Sequence, residues 1–205
     1  MTAKDIHSPA NWRSKINDNT ITSQHIKQSR KNLQSRYIGS DTADTLSRLK
    51  MGTTLFRNQS HHIGSTESQY CATCTRENNQ DIIEDLTHAT YTCPHIQTII
   101  EEVTNTYFPN ILTNFTHKDT LLSIIRNTHP LYEGKPGQTL ASLIWDHFLK
   151  YIITCRSKNV TPIAAIAILE IRSQLNKILK LLPNTMVAKH ILLDTELKHI
   201  FHIEL

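Results

Sequence analysis

Cys71-Ala72-Thr73-Cys74 and His88-Ala89-Thr90-Tyr91-Thr92-Cys93, separated by 13 residues, form the stretch around which this chain is organised. Together they read C-x2-C followed by H-x4-C. A tight turn can aim the two thiolates of a C-x2-C pair at one ion. A His/Cys pair at the end of a short helical turn can supply the other two ligands of a tetrahedral zinc site. The rival reading is three free thiols buried close together, and the histidine at ligand spacing argues against it. The expected ligand set is therefore Cys71, Cys74, His88 and Cys93, with Zn2+ as a structural cofactor. The fourth cysteine, Cys155, lies on an apolar helical stretch and reads as a small buried hydrophobe. His61 and His62 fall in the connector before the first pair, outside a ligand set that is already complete.

Working outward, the charge divides into three blocks. Residues 1–62 carry a net +6, residues 63–117 a net −6 and residues 118–205 a net +4. The whole-chain value of +4 hides this segregation. The basic first block is the expected place for phosphate contacts, with Lys27, Arg30, Lys31, Arg36, Arg48 and Lys50 as candidate nucleic-acid-binding residues. A solvated helix face explains the same cations on the pattern alone. The acidic loop between the metal-binding pairs includes Glu84 and Asp85. These read as solubilising charges or as outer partners for the second ring nitrogen of His88.

The remaining pattern is helical. Asp41 is placed to cap a helix from Thr42 to Met51 that Gly52 closes, with Leu46 and Leu49 inward. Pro94 opens a helix with Ile96, Ile99, Ile100 and Val103 at i, i+3, i+4, i+7. A short helix is expected over Thr116–Asn127, then a break over His129–Gly137. A long helix runs from Leu140 to about Lys158, with Leu140, Leu143, Ile144, Phe148, Tyr151 and Ile152 on one broad face. Thr161 and Pro162 start another that runs to about Leu182, with Ile163, Ile166, Ala167, Leu175, Ile178, Leu179 and Leu182 as its stripe. A last helical piece is expected over Met186–His199. Only five glycines occur, which disfavours an all-β fold. The expected fold is mainly α: a basic N-terminal helical region (1–62), a small CCHC zinc knuckle (63–95) and a C-terminal helical region (96–205). The longest strongly apolar run, Val160 to Leu169, is far short of the ~20 residues a membrane span needs, and no N-terminal stretch reads as a signal peptide. The expected location is nuclear or cytoplasmic, where thiols stay reduced and bind metal.

Leu46-Ser47-Arg48-Leu49-Lys50-Met51-Gly52, then the C-x2-C pair, then Glu84-Asp85-Leu86-Thr87-His88-Ala89 and Cys93-Pro94, resemble the C-terminal zinc-knuckle region of non-LTR retrotransposon reverse transcriptases. The resemblance spans about residues 42–96. It differs in the longer loop between Cys74 and His88 and in Thr53, where the family often has histidine. It implies a reverse-transcriptase-like, zinc-stabilised nucleic-acid-binding module with RNA or DNA as partner. A polymerase aspartate motif and a ribonuclease H carboxylate set are absent, so no catalytic residue is expected. The nearest approach to a restriction-like nuclease is Glu196-Leu197-Lys198, with Asp146 or Asp194 as first acid. The alternative function is a protein-interaction subunit, in which the knuckle is purely structural and the C-terminal helices dock on a partner.

Overall fold

The computed structural model describes residue 27 and residues 38–51, 53–107 and 138–181. These residues are mainly helical, and among them there is no strand, only an isolated antiparallel bridge between Tyr70 and Ile83. Six α-helices and one π-turn follow in chain order: α1 (Ser40–Met51), α2 (Arg57–His62), α3 (Ala72–Asn78), the π-turn (His88–Thr92), α4 (Pro94–Tyr107), α5 (Gln138–Ser157) and α6 (Ala164–Leu181). None of the described helices is long and apolar enough to cross a membrane. The helices expected over 116–127 and 186–199, the break at 129–137 and the closing Gly52 lie outside the described residues.

The central element is α5. Every residue from Leu140 to Leu149 is buried, as are Tyr151, Ile152, Ile153, Cys155 and Arg156. The broad face expected from the pattern is therefore only part of the buried surface. A helix buried all round is the middle layer of a core, not its rim. It packs on α1, on α6 and on the π-turn. From α1 it receives Leu46 and Leu49, both 1 % exposed. Lys150 of α5 pairs with Asp41 of α1. That hydrogen bond, and the lysine charge with it, holds the Asp41 carboxyl below the usual carboxylate range. Asp41 was expected as an N-cap; α1 instead begins at Ser40, which puts Asp41 in the first turn facing α5.

The stripe of α4 is as the periodicity predicts: Ile96, Ile99, Ile100 and Val103 are all buried, against the partner helix α6. Burying each such side chain contributes about 1.5–3 kcal/mol. Tyr107 closes this contact by donating its hydroxyl hydrogen to the Ile168 carbonyl, 2.9 Å away. The α6 stripe differs from expectation. Ala164, Ala167, Ile171, Leu175 and Ile178 are buried, while Ile163 and Ile166 are exposed along with Val160 and Leu169. The helix starts at Ala164, two residues later than a Pro162 first turn would put it. The Tyr151 hydroxyl accepts the Ile163 amide at 2.8 Å and donates to its carbonyl at 3.1 Å, pinning this turn back onto α5.

One buried titratable group of α5 makes a pH prediction. His147 is 5 % exposed, and its Nε2 has no protein partner. Burial, and then the charges of Lys150 and Lys177, pull its pKa down to about 4. An unfolded histidine titrates near ~6.5. Between these values the unfolded state binds the extra proton, so stability rises with pH across that window and is fully present above it. The expected loss on acidification to the lower end is about 3 kcal/mol. Urea unfolding midpoints measured from pH 7 to pH 4 should flatten in His147→Leu relative to wild type. Acid release of any bound metal is common to both curves, so their difference isolates the histidine.

Candidate metal centre

The local fold explains how four donors meet. Cys71 sits immediately before α3 and Cys74 lies within its first turn. The Tyr70–Ile83 bridge fixes the approach, with the Cys71 amide donating to the Ile82 carbonyl at 2.8 Å and the Glu84 amide to the Gln69 carbonyl at 3.0 Å. Asn79, at φ 50°, ends α3 in a left-handed turn that asparagine tolerates better than most residues. The loop therefore doubles back to deliver His88.

The second pair depends on the π-turn. Five residues along an α-helix leave two side chains well off the same face, because each residue adds about 100°. The widened turn carries an i→i+5 hydrogen bond instead, from the Cys93 amide to the His88 carbonyl at 3.2 Å. That bond brings the ends of H-x4-C to one side. Asp85 Oδ1 accepts the His88 amide at 2.8 Å and starts the turn. Cys93 then precedes Pro94, the first residue of α4.

The result is one buried group. Cys71, Cys74, His88 and Cys93 are all buried, and their ligand atoms lie within 4.8 Å of one another. Cys74 Sγ is 3.7 Å from Cys93 Sγ and 3.4 Å from His88 Nε2. A tetrahedral ion with metal–sulfur bonds of about 2.3 Å and metal–nitrogen bonds of about 2.0 Å requires edges of about 3.8 Å and about 3.5 Å. Both distances fit a single ion, and four protein donors fill its coordination. No cysteine among the described residues is in a disulfide. The thiols share their protons unequally. The hydrogen bond from Cys71 leads in lowering Cys93 to about 5, helped by the Ile96 amide and Arg156, while burial and the neighbouring sulfurs push Cys74 up.

A cation from α5 completes the surroundings. Arg156 Nη1 donates to Cys71 Sγ at 3.2 Å and to Glu84 Oε2 at 3.3 Å. The two charged side chains are 5 % and 3 % exposed. Burial works against the Arg156 charge, but Cys71, Glu84 and Cys93 outweigh it and raise its pKa. Burial raises the Glu84 carboxyl, against the opposing pull of Arg156. Glu84 thus corrects the reading of the acidic loop: it is an internal ion-pair partner, not a solubilising charge. Thr92 Oγ1, 3.5 Å from His88 Nδ1, lies beside the second ring nitrogen. Arg156 had no signal in spacing or pattern, since it ends a long helix where a cation ordinarily faces the helix dipole.

The region is tied to the connection between α5 and α6 at further points. Arg57 donates to Asn159 Oδ1 at 2.7 Å, Arg76 hydrogen-bonds Thr161, and His95 Nε2 is 2.7 Å from the Pro162 carbonyl. Residues before, within and after the metal-binding segment share one hydrophobic core. Of the expected nucleic-acid contacts, Lys27 is helical and exposed, and Arg48 is exposed and pairs with Asp44 at 2.9 Å. Lys50 is half-buried on α1, and Arg30, Lys31 and Arg36 lie outside the described residues. His61 and His62 are exposed and stand apart from the four donors. Of the nuclease candidates, Asp146 is buried at 1 % exposure in the middle of α5, while Asp194, Glu196 and Lys198 lie outside the described residues. Comparison with known proteins gives no match to a family model, to a curated protein or to a solved structure.

Proposed function

We propose that the chain is a zinc-stabilised nucleic-acid-binding module, related to the zinc-knuckle region of non-LTR retrotransposon reverse transcriptases. The observation that carries the metal half is the buried set Cys71, Cys74, His88 and Cys93, whose donor atoms lie within 4.8 Å of one another, with the Cys74–Cys93 and Cys74–His88 separations at tetrahedral edge lengths. Three sulfurs and one imidazole suit zinc, and a filled coordination shell assigns it a structural role without water activation. The nucleic-acid half is supported by the sequence resemblance and by the basic block at residues 1–62, where Lys27 and Arg48 are exposed. RNA and DNA share the phosphate chemistry this reading uses.

Native mass spectrometry tests both halves at once. One zinc per chain is expected, lost in Cys74→Ser, together with co-purified nucleic acid that salt strips off. Filter binding with single- and double-stranded RNA and DNA should show affinity that falls steeply with salt. No retention of any of the four at low salt sinks the nucleic-acid half. A zinc-free protein of unchanged stability sinks the metal half.

A second reading is favoured by one surface. Val160, Ile163, Ile166 and Leu169 are 44–58 % exposed near the start of α6. A cluster of this kind suits a protein-interaction subunit, in which the metal site only holds the fold. Light scattering after size exclusion would reveal self-association through it.

A further inference from the structure

A second basic feature lies beside the metal centre, away from the residues first assigned to phosphate contact. Arg57 of α2, Arg76 of α3 and Arg156 of α5 line a single cleft together with Thr73, Asn159 and Thr161. Arg156 comes from about 80–100 residues further along the chain than the other two, and the fold brings all three together. Arg57 is fixed by Asn159 Oδ1, and Arg76 by Thr161 Oγ1 and Glu77. Asn159 and Thr161 are neutral acceptors, so they orient the guanidinium groups without cancelling their charge. Glu84 also lines the cleft, and it is engaged with Arg156. Three arginines thus share the cleft with one buried carboxylate, which Arg156 pairs, while Arg76 also pairs with Glu77.

Arg156 adds an independent observation. It lines the cleft and is more than nine-tenths buried; its Nη1 is held by Cys71 and Glu84, while its Nε and Nη2 are closed to solvent and unpaired. Buried donors of an ionised group are costly when left unpaired. The cleft is narrow, with about 10 Å³ open to the centre of a water-sized sphere. An oxyanion at the cleft would rest on Arg57, which is half-buried, and on Arg76, which is exposed. Arginine forks match phosphate geometry with paired N–H···O bonds.

We infer that this cleft is a phosphate-binding site, and that it seats a backbone phosphate of a bound nucleic acid. The source of the phosphate rests on the proposed nucleic-acid function; the anion chemistry of the cleft does not. The site puts the metal centre next to the ligand: Thr73 lies between the two cysteines of the first pair, and Arg156 touches Cys71.

The test uses the full, metal-loaded chain. Fluorescence anisotropy with a single-stranded RNA oligonucleotide is measured across salt concentrations, and arginine Nε–Hε resonances are followed during titration with pyrophosphate. The variant is Arg57→Gln with Arg76→Gln, which retains amide donors and spares the buried Arg156; circular dichroism and zinc content confirm its fold. The expected loss of oligonucleotide affinity is about tenfold or more at low salt, with a salt slope shallower by about 0.7 for the one lost phosphate contact. Lys158→Gln, on the same turn but outside the cleft lining, should change affinity far less. Oligonucleotide binding that is unchanged in the double variant overturns the cleft assignment and leaves the nucleic-acid function standing. Pyrophosphate shifts without oligonucleotide binding keep the anion site and overturn the nucleic-acid function. A wild-type protein whose arginine resonances ignore pyrophosphate, and whose double variant binds oligonucleotide normally, has no such site.

Discussion

Stripping the metal with a strong chelator is expected to unfold the segment from Tyr70 to Tyr107 and to loosen α5 and α6 with it. Without an ion, three buried sulfurs lie close together, two of them 3.7 Å apart, held by weak sulfur hydrogen bonds and the single N–H of Arg156 on Cys71. Structural zinc sites of this kind have apparent binding free energies of about 10–16 kcal/mol, on the order of the whole stability of a domain. The part before α4 has little other support: α3 is seven residues long, and among the described residues the sheet pairing is one bridge. The loss should spread because α4 begins directly after Cys93 and carries four buried aliphatic side chains onto α6. Helicity at 222 nm and the thermal midpoint, recorded with and without chelator and again after zinc is restored, report the effect. Cys93→Ser should do similar damage that zinc does not repair. A chelated protein that keeps its helicity and midpoint would show that the four side chains pack as an ordinary core.

Arg156→Met is expected to be the most damaging substitution outside the four ligands. It removes the buried cation that pairs with the Glu84 carboxylate and the N–H donor to Cys71. A divalent ion with three thiolates and one imidazole carries one excess negative charge, so the arginine balances the centre as well as the glutamate. Leaving a buried partner charge alone costs about 3–5 kcal/mol. Arg156→Lys should recover only part of this, because a point-like ammonium cannot bridge sulfur and carboxylate as a planar fork does. Arg156→Met combined with Glu84→Gln should be less destabilised than Arg156→Met alone. Denaturant midpoints across this cycle, with zinc affinity from chelator competition, give the coupling. A double variant whose loss equals the sum of the two single losses would mean that the two residues act independently.

The legible part of the molecule was the part written in short-range spacing. The four donors follow from C-x2-C and H-x4-C, and they do come together. The helix at Pro94 and its stripe follow from i, i+3, i+4 periodicity and a proline at the first position. What could not be read depends on contacts across long separations. Arg156 meets Cys71 from 85 residues away, and no local pattern marks an arginine at a helix end as internal. Glu84 looks like any acid in a polar loop until that arginine is brought to it. The stripe of α6 was misjudged because Ile163 and Ile166 satisfy a helical period, but Tyr151 fixes Ile163 from outside and the buried face is centred on Ala167 and Ile171. The full burial of α5 was hidden because Ser142, Asp146 and His147 look polar in sequence, yet all three are buried.

The π-turn has a bearing on the helix that follows it. His88 and Cys93 must point at the same place, and α4 starts where Cys93 ends. The one residue by which this turn exceeds an ordinary α-turn therefore acts as an angular gauge. Removing it would still let two donors one α-turn apart share an ion, but it would roll α4 by about 100° about its own axis. Ile96, Ile99, Ile100 and Val103 would swing away from α6 and the polar side would take their place. The spacing of the ligands sets the rotational phase of the helix, so metal chemistry and core packing are specified by the same count of residues.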